Sequence, residues 1–113
     1  MKRAVFVGSP FAAADDAGYA LHRRYALACM RDSIQRGEAP FVPHLLWTQT
    51  LDDRIHAERE LAMEMGTAWL ARASLLALYT DLGTSAGMAQ EQAFADRAGI
   101  KVEERALGDG WDK

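Results

Sequence analysis

Glu91 closes the stretch Asp81-Leu82-Gly83-Thr84-Ser85-Ala86-Gly87-Met88-Ala89-Gln90-Glu91, which follows the apolar run Ser74-Leu75-Leu76-Ala77-Leu78-Tyr79-Thr80. A continuous apolar run of this length reads as a buried strand of a parallel sheet. The small and turn-forming residues after it lead into a helix, with Met88, Ala95 and Ala98 at helical spacing and Gly99 as a stop. A strand, a small-residue turn and a helix N-terminus make a seat for an anion, because unbonded amides and the helix dipole face the turn. Ser85, Gly87 and Met88 would line that seat: Ser85 offers a hydroxyl, and Gly87 lets a ligand approach the backbone. Ser85 serves equally as a plain N-cap, and both roles are compatible. Glu91 lies nearly two turns along the same helix, where a carboxylate suits attack on an anomeric carbon. A solvated helical glutamate has the same spacing.

Other candidates sit where further strands end. Gly8-Ser9-Pro10-Phe11 follows the first apolar run, Ala4-Val5-Phe6-Val7. It reads as a ligand-lining loop or as an ordinary turn, and matches neither a dinucleotide fingerprint nor a Walker loop. His44 lies in Phe41-Val42-Pro43-His44-Leu45-Leu46, a second strand candidate weakened by Pro40 and Pro43 and expected to be short or to break into a loop. The next loop carries Asp52 and Asp53. His22, His44 and His56 show no metal-ligand spacing, and the lone cysteine, Cys29, reads as a buried thiol, so neither a metal nor another cofactor is expected.

The elements that must position these residues alternate. Helices are expected over about 17–36, with Leu21, Tyr25, Ala28, Cys29 and Met30 inward, and over about 55–72, with Leu61, Met65, Ala68 and Trp69 inward. A last strand falls near 100–107, and a polar tail from Gly108 is expected to be loose. Strands alternating with helices predict an α/β fold: a flavodoxin-like or Rossmann-like three-layer sandwich with a four- to five-stranded, mainly parallel sheet. Ligands bind such sheets beyond the C-terminal strand ends, which gathers the loops 8–18, 43–54 and 80–87.

The 113 residues are expected to form one domain over 1–113. A net charge of -3 gives no basic footprint, so nucleic acid is not an expected partner. No apolar stretch reaches membrane-spanning length and no signal peptide is evident, so a cytoplasmic location is expected.

Read together, Ser9-Pro10-Phe11, Pro40 to Leu46, Leu51-Asp52-Asp53 and Ser85 to Glu91 resemble the nucleoside 2-deoxyribosyltransferase superfamily. That superfamily includes nucleoside 5′-monophosphate N-glycosidases, and the likeness, over Ala4 to Leu107, is to a small branch from phage and bacterial genomes. The resemblance implies cleavage or transfer at the N-glycosidic bond of a nucleotide or nucleoside, without cofactor. It implies Glu91 as nucleophile, Ser85 and Gly87 as phosphate-binding positions, and Gly8 and Ser9 in the first nucleotide-contacting loop. It also implies a homodimer or higher homo-oligomer. The chain departs from the pattern where the characterised enzymes carry an Asp on the second long helix: the aligned position falls at or near Gly66. Asp52, Asp53 or His44 of the neighbouring loop is the candidate substitute. A nucleotide-binding module without catalysis and a purely structural oligomerising domain are the alternatives.

Overall fold

The computed structural model describes residues 1–113. Four strands, β1 (Ala4–Gly8), β2 (Ala39–Phe41), β3 (Leu75–Tyr79) and β4 (Lys101–Arg105), form one sheet in the order β2-β1-β3-β4, and every neighbouring pair is parallel. Helix α1 (Asp16–Gln35) joins β1 to β2. A short α2 (Pro43–Leu46), a 3₁₀ turn (Trp47–Gln49) and α3 (His56–Leu70) join β2 to β3, and α4 (Ala86–Ala98) joins β3 to β4. The expected α/β architecture with a parallel sheet is therefore present. No helix is long and apolar enough to cross a membrane.

The sheet separates two cores because alternate strand residues face opposite sides. Val5, Val7, Leu75, Ala77 and Tyr79 pack against Tyr25, Ala26 and Cys29 of α1. Phe6, Leu76 and Leu78 pack against Leu70 of α3 and Met88 and Ala95 of α4. β1 and β3, central in the sheet, are buried along nearly their whole length, which is why both read as unbroken apolar runs. Burial also pushes the Cys29 thiol up to about 12, so it behaves as a small apolar group. Gly99 closes α4 at φ 73°, a left-handed position that a side chain would strain.

Three expectations need correction. β2 lies before Pro43 rather than across it: Pro43 takes the first turn of α2, where its missing N–H costs nothing. The chain turns helical there and not into a loop. On α3 the buried residues are Gly66 and Leu70, while Leu61, Ala68 and Trp69 are exposed. The helix is apolar on two sides, and the larger side chains lie on the outer one. The C-terminal tail is tied down as well. Asp81 accepts hydrogen bonds from the Leu107 and Gly108 amides, and Trp111 packs edge-on against Tyr25 at 5.0 Å.

Candidate functional site

β1 leads to β2 on one side and β3 to β4 on the other, so the loops after β1 and β3 diverge and leave a crevice between them. Glu91 sits at this point. It belongs to the inward stripe Met88, Glu91, Ala95 of α4, an acid where helical periodicity calls for an apolar residue. The side chain is only 6% exposed. It lies against Gly8, the last residue of β1: a Cβ there would fall 2.8 Å from Glu91 Oε1 and 2.7 Å from Leu78 Cδ2. The missing side chain of Gly8 thus makes room for the carboxyl group.

Glu91 Oε1 is buried without a hydrogen-bond partner. Burial alone, with no cation or donor to offset it, pushes this carboxyl up to about 8, so it carries a proton at neutral pH. A buried carboxyl with no structural partner is costly to keep and is a frequent mark of a functional site.

Two cavities meet at Glu91. The inner one, about 60 Å³, is an apolar recess walled by Phe6, Trp47, Leu51, Met63, Gly66 and Leu70, with room for a few waters or a small apolar group. The outer one, about 490 Å³, opens between α3 and the start of α4, where Ser85, Ala86, Gly87 and Gln90 face Glu60 and Glu64. His44, Asp53, Arg59 and Met63 border both, as Glu91 does.

His44 is fixed from two sides. Its Nε2 lies 3.0 Å from the Ser9 carbonyl oxygen, which only accepts, so Nε2 carries the proton and donates. Its ring stacks on Phe11 at 4.9 Å. Burial lowers its basicity to about 4, leaving a neutral ring at physiological pH. Asp53 is engaged elsewhere: its Oδ2 accepts from Tyr19 Oη at 3.1 Å and from Arg59 Nη2 at 3.0 Å. Ser85 caps α4, its Oγ accepting from the Met88 amide at 3.2 Å. That leaves the Ala86 and Gly87 amides, in the first turn, without an intrahelical acceptor.

The fold thus brings Glu91, His44, Asp53, Phe11, Ser85 and Gly87 to one crevice, with Gly8 directly behind Glu91. Ser9 is 1% exposed, its Oγ buried without a partner and its carbonyl held by His44. Gly8, Ser9, Pro10 and Met88 line neither cavity. Pro10 is buried. The Met88 side chain is in the core under α4, where its sulfur accepts from the Ser85 amide at 3.5 Å. Asp52 is exposed and accepts from the Arg54 amide in a local turn. Arg59 was not among the sequence candidates. Its position in an ion-pairing helical stretch gave no sign that it borders the crevice. No group of three His, Cys, Asp or Glu side chains is placed to hold a metal ion.

The model of a domain of unknown function, DUF7768, matches residues 3–105. The chain belongs to that family. The match runs from the residue before β1 to the last residue of β4, so the whole crevice of this DUF7768 chain lies within it. No curated protein matches the chain.

Proposed function

We propose that this DUF7768 chain cleaves or transfers at the N-glycosidic bond of a nucleoside 5′-monophosphate, with Glu91 as nucleophile. The observation that carries the reading is the buried, unpartnered Glu91 carboxyl at the meeting of an apolar recess and a polar, open cavity. The Ala86 and Gly87 amides would hold the phosphate at the start of α4. The sugar would lie over Glu91. Ionised Glu91 then attacks C1′, the bond from C1′ to the base nitrogen breaks, and the base leaves with the electron pair and takes a proton from solvent. Water, or a second base, then opens the glycosyl ester and returns the carboxylate. Because Glu91 must lose its proton first, the rate is expected to rise with pH towards about 8.

A second reading has its own support. The resemblance puts Gly66 at or near the position where the characterised enzymes carry a second carboxylate, and Asp53 is already bound by Arg59 and Tyr19. A crevice in which both candidates for Glu91's partner that border it are already engaged, His44 by the Ser9 carbonyl and Asp53 by Arg59 and Tyr19, also suits a module that binds a nucleotide without cleaving it.

Incubation with a panel of ribo- and deoxyribonucleoside monophosphates, with chromatographic detection of free base, tests the first reading. Base release is expected, and Glu91→Gln should reduce it at least ~10²-fold while nucleotide binding persists. Unchanged release in that variant rejects the nucleophile. Calorimetric binding without any release supports the second reading.

A further inference from the structure

The inner recess is a space that α3 could fill and does not. Gly66 lies buried inside that helix, where glycine is a weaker helix former than alanine. No backbone need explains it, because Gly66 is not among the glycines with positive φ. Nor does crowding: a Cβ there would meet Phe6 Cζ at 3.8 Å and Trp47 Cζ3 at 3.9 Å, ordinary contact on both sides. Gly8 differs, since a Cβ there would strike Leu78 and Glu91. A methyl group at position 66 would therefore fit, would strengthen α3, and would take up space between Phe6 and Trp47. Its absence leaves an apolar cavity of about 60 Å³, whose walls forfeit packing contacts.

The walls are held apart. Trp47 meets Phe41 edge-on at 5.5 Å, and Phe41 stacks on Trp69 at 5.4 Å. Phe6 and Leu70 belong to the core beneath the sheet. A recess kept open between fixed walls is preorganised for a group of a ligand. Its size limits that group. A cavity that takes in benzene measures about 150 Å³, so no ring enters whole, whereas a methyl group does. Its chemistry limits it too. Thr48, Thr67 and Glu58 also border the recess, but the two hydroxyls donate to the His44 and Glu64 carbonyls, and Glu58 accepts from the Asp52 amide. A hydroxyl or amino group would enter at a loss, and a methyl group would not.

We propose that the recess kept open by Gly66 takes a methyl group on the base of the substrate, so that the site prefers a methylated base to its unmethylated counterpart. The inference rests on the nucleotide reading of the same crevice. The Ala86 and Gly87 amides border only the outer cavity, and Glu91 borders both. With the phosphate at those amides and C1′ at Glu91, the base turns towards the recess. Gly66 is then a specificity-determining residue, and the helix gives up stability to hold the space open.

Calorimetric titration with two pairs of nucleotides tests it: dTMP against dUMP, and 5-methyl-dCMP against dCMP, with release of base followed in parallel. In each pair the methylated member should bind about tenfold or more tightly. Gly66→Ala puts its own methyl group into the recess. That variant should fold at least as stably as the wild-type chain and should bind the two members of each pair with nearly equal affinity. Equal affinities within both pairs in the wild-type chain overturn the proposal, and so does a preference that Gly66→Ala leaves unchanged. Release of base alongside such equal affinities leaves the glycosidic reading standing. A methyl preference lost in Gly66→Ala, without release of base, supports the proposal and rejects the glycosidic reaction. No binding of any of the four overturns the proposal, while release of base from other monophosphates would still carry the glycosidic reading.

Discussion

Glu38 and Glu91 are both buried, and the fold treats them in opposite ways. Glu38, just before β2, accepts from Arg105 at 2.8 and 2.7 Å, from Arg3 at 2.8 Å and from Ser33 Oγ at 2.8 Å. The Arg105 guanidinium above all holds this carboxyl down to about 2. Glu91, against the end of β1, has no partner for Oε1 and is held up at about 8. The first carboxylate is consumed by the fold: it ties the chain before β2 to the end of β4, with Tyr79 Oη accepting a further Arg105 bond at 3.1 Å. The second is left over. A group that the fold buries and does not use is free to act on something else, which is why the functional reading rests on Glu91 and not on the better-bonded Glu38.

The contrast can be broken most forcefully from the Glu38 side. Arg105→Ala leaves buried Glu38 with only Arg3 and the Ser33 hydroxyl, and a broken buried pair is expected to cost about 3–5 kcal/mol in urea unfolding. Gly8→Ala strikes the other side. Its Cβ would press on Leu78 and on Glu91, so a loss of about 1–3 kcal/mol is expected, together with a displaced carboxyl.

The two glutamates also carry opposite pH signatures. Glu38 has a lowered folded value, so its stabilisation is complete above the ordinary 4.5 and is lost as the pH falls towards about 2. Glu91 has a raised folded value, so the native state binds the extra proton. Its contribution is complete below 4.5 and is lost as the pH rises through about 8. Between about pH 6 and about pH 8 the wild-type chain should lose about 2 kcal/mol relative to Glu91→Gln. Denaturant melts of both proteins at each pH read that difference, and parallel curves would contradict it.

The smallest effect sharpens the comparison between two glycines beside the crevice. A Cβ at Gly66 would meet Phe6 and Trp47 at 3.8 and 3.9 Å, ordinary contact distances. Gly66→Ala is therefore expected to stabilise α3 by about 0.5–1 kcal/mol in the same melts, the reverse of Gly8→Ala.

Much of this was legible in the residue order. The unbroken apolar runs of β1 and β3 gave the parallel sheet, the 3.6-residue pattern placed α1 to within a residue or two, and Gly99 marked the end of α4. Glu91 was a candidate by its spacing after Ser85, but that spacing fits a solvated glutamate equally, and only the packing of α4 shows it inward. What escaped was decided by long-range packing. α3 is apolar on two sides, and nothing local says which one the sheet takes. Val42-Pro43-His44 reads as a strand by composition but turns into a helix once β2 ends at the sheet edge. The Glu38–Arg105 pair joins residues 67 apart in sequence, and no short motif announces it. Likewise Arg59 bonds back across a turn to Asp53, so the acid that the sequence offered as a second catalytic group is already held.

The central claim is that Glu91 is a buried carboxyl with nothing in the fold to ionise it. Carbon-13 NMR of the glutamate side-chain carboxyls, with Glu91→Gln to assign the resonance, measures it directly. The account expects the Glu91 signal to titrate near 8. A midpoint at the ordinary carboxylate value of 4.5 would mean that the group is solvated or partnered, and would contradict it.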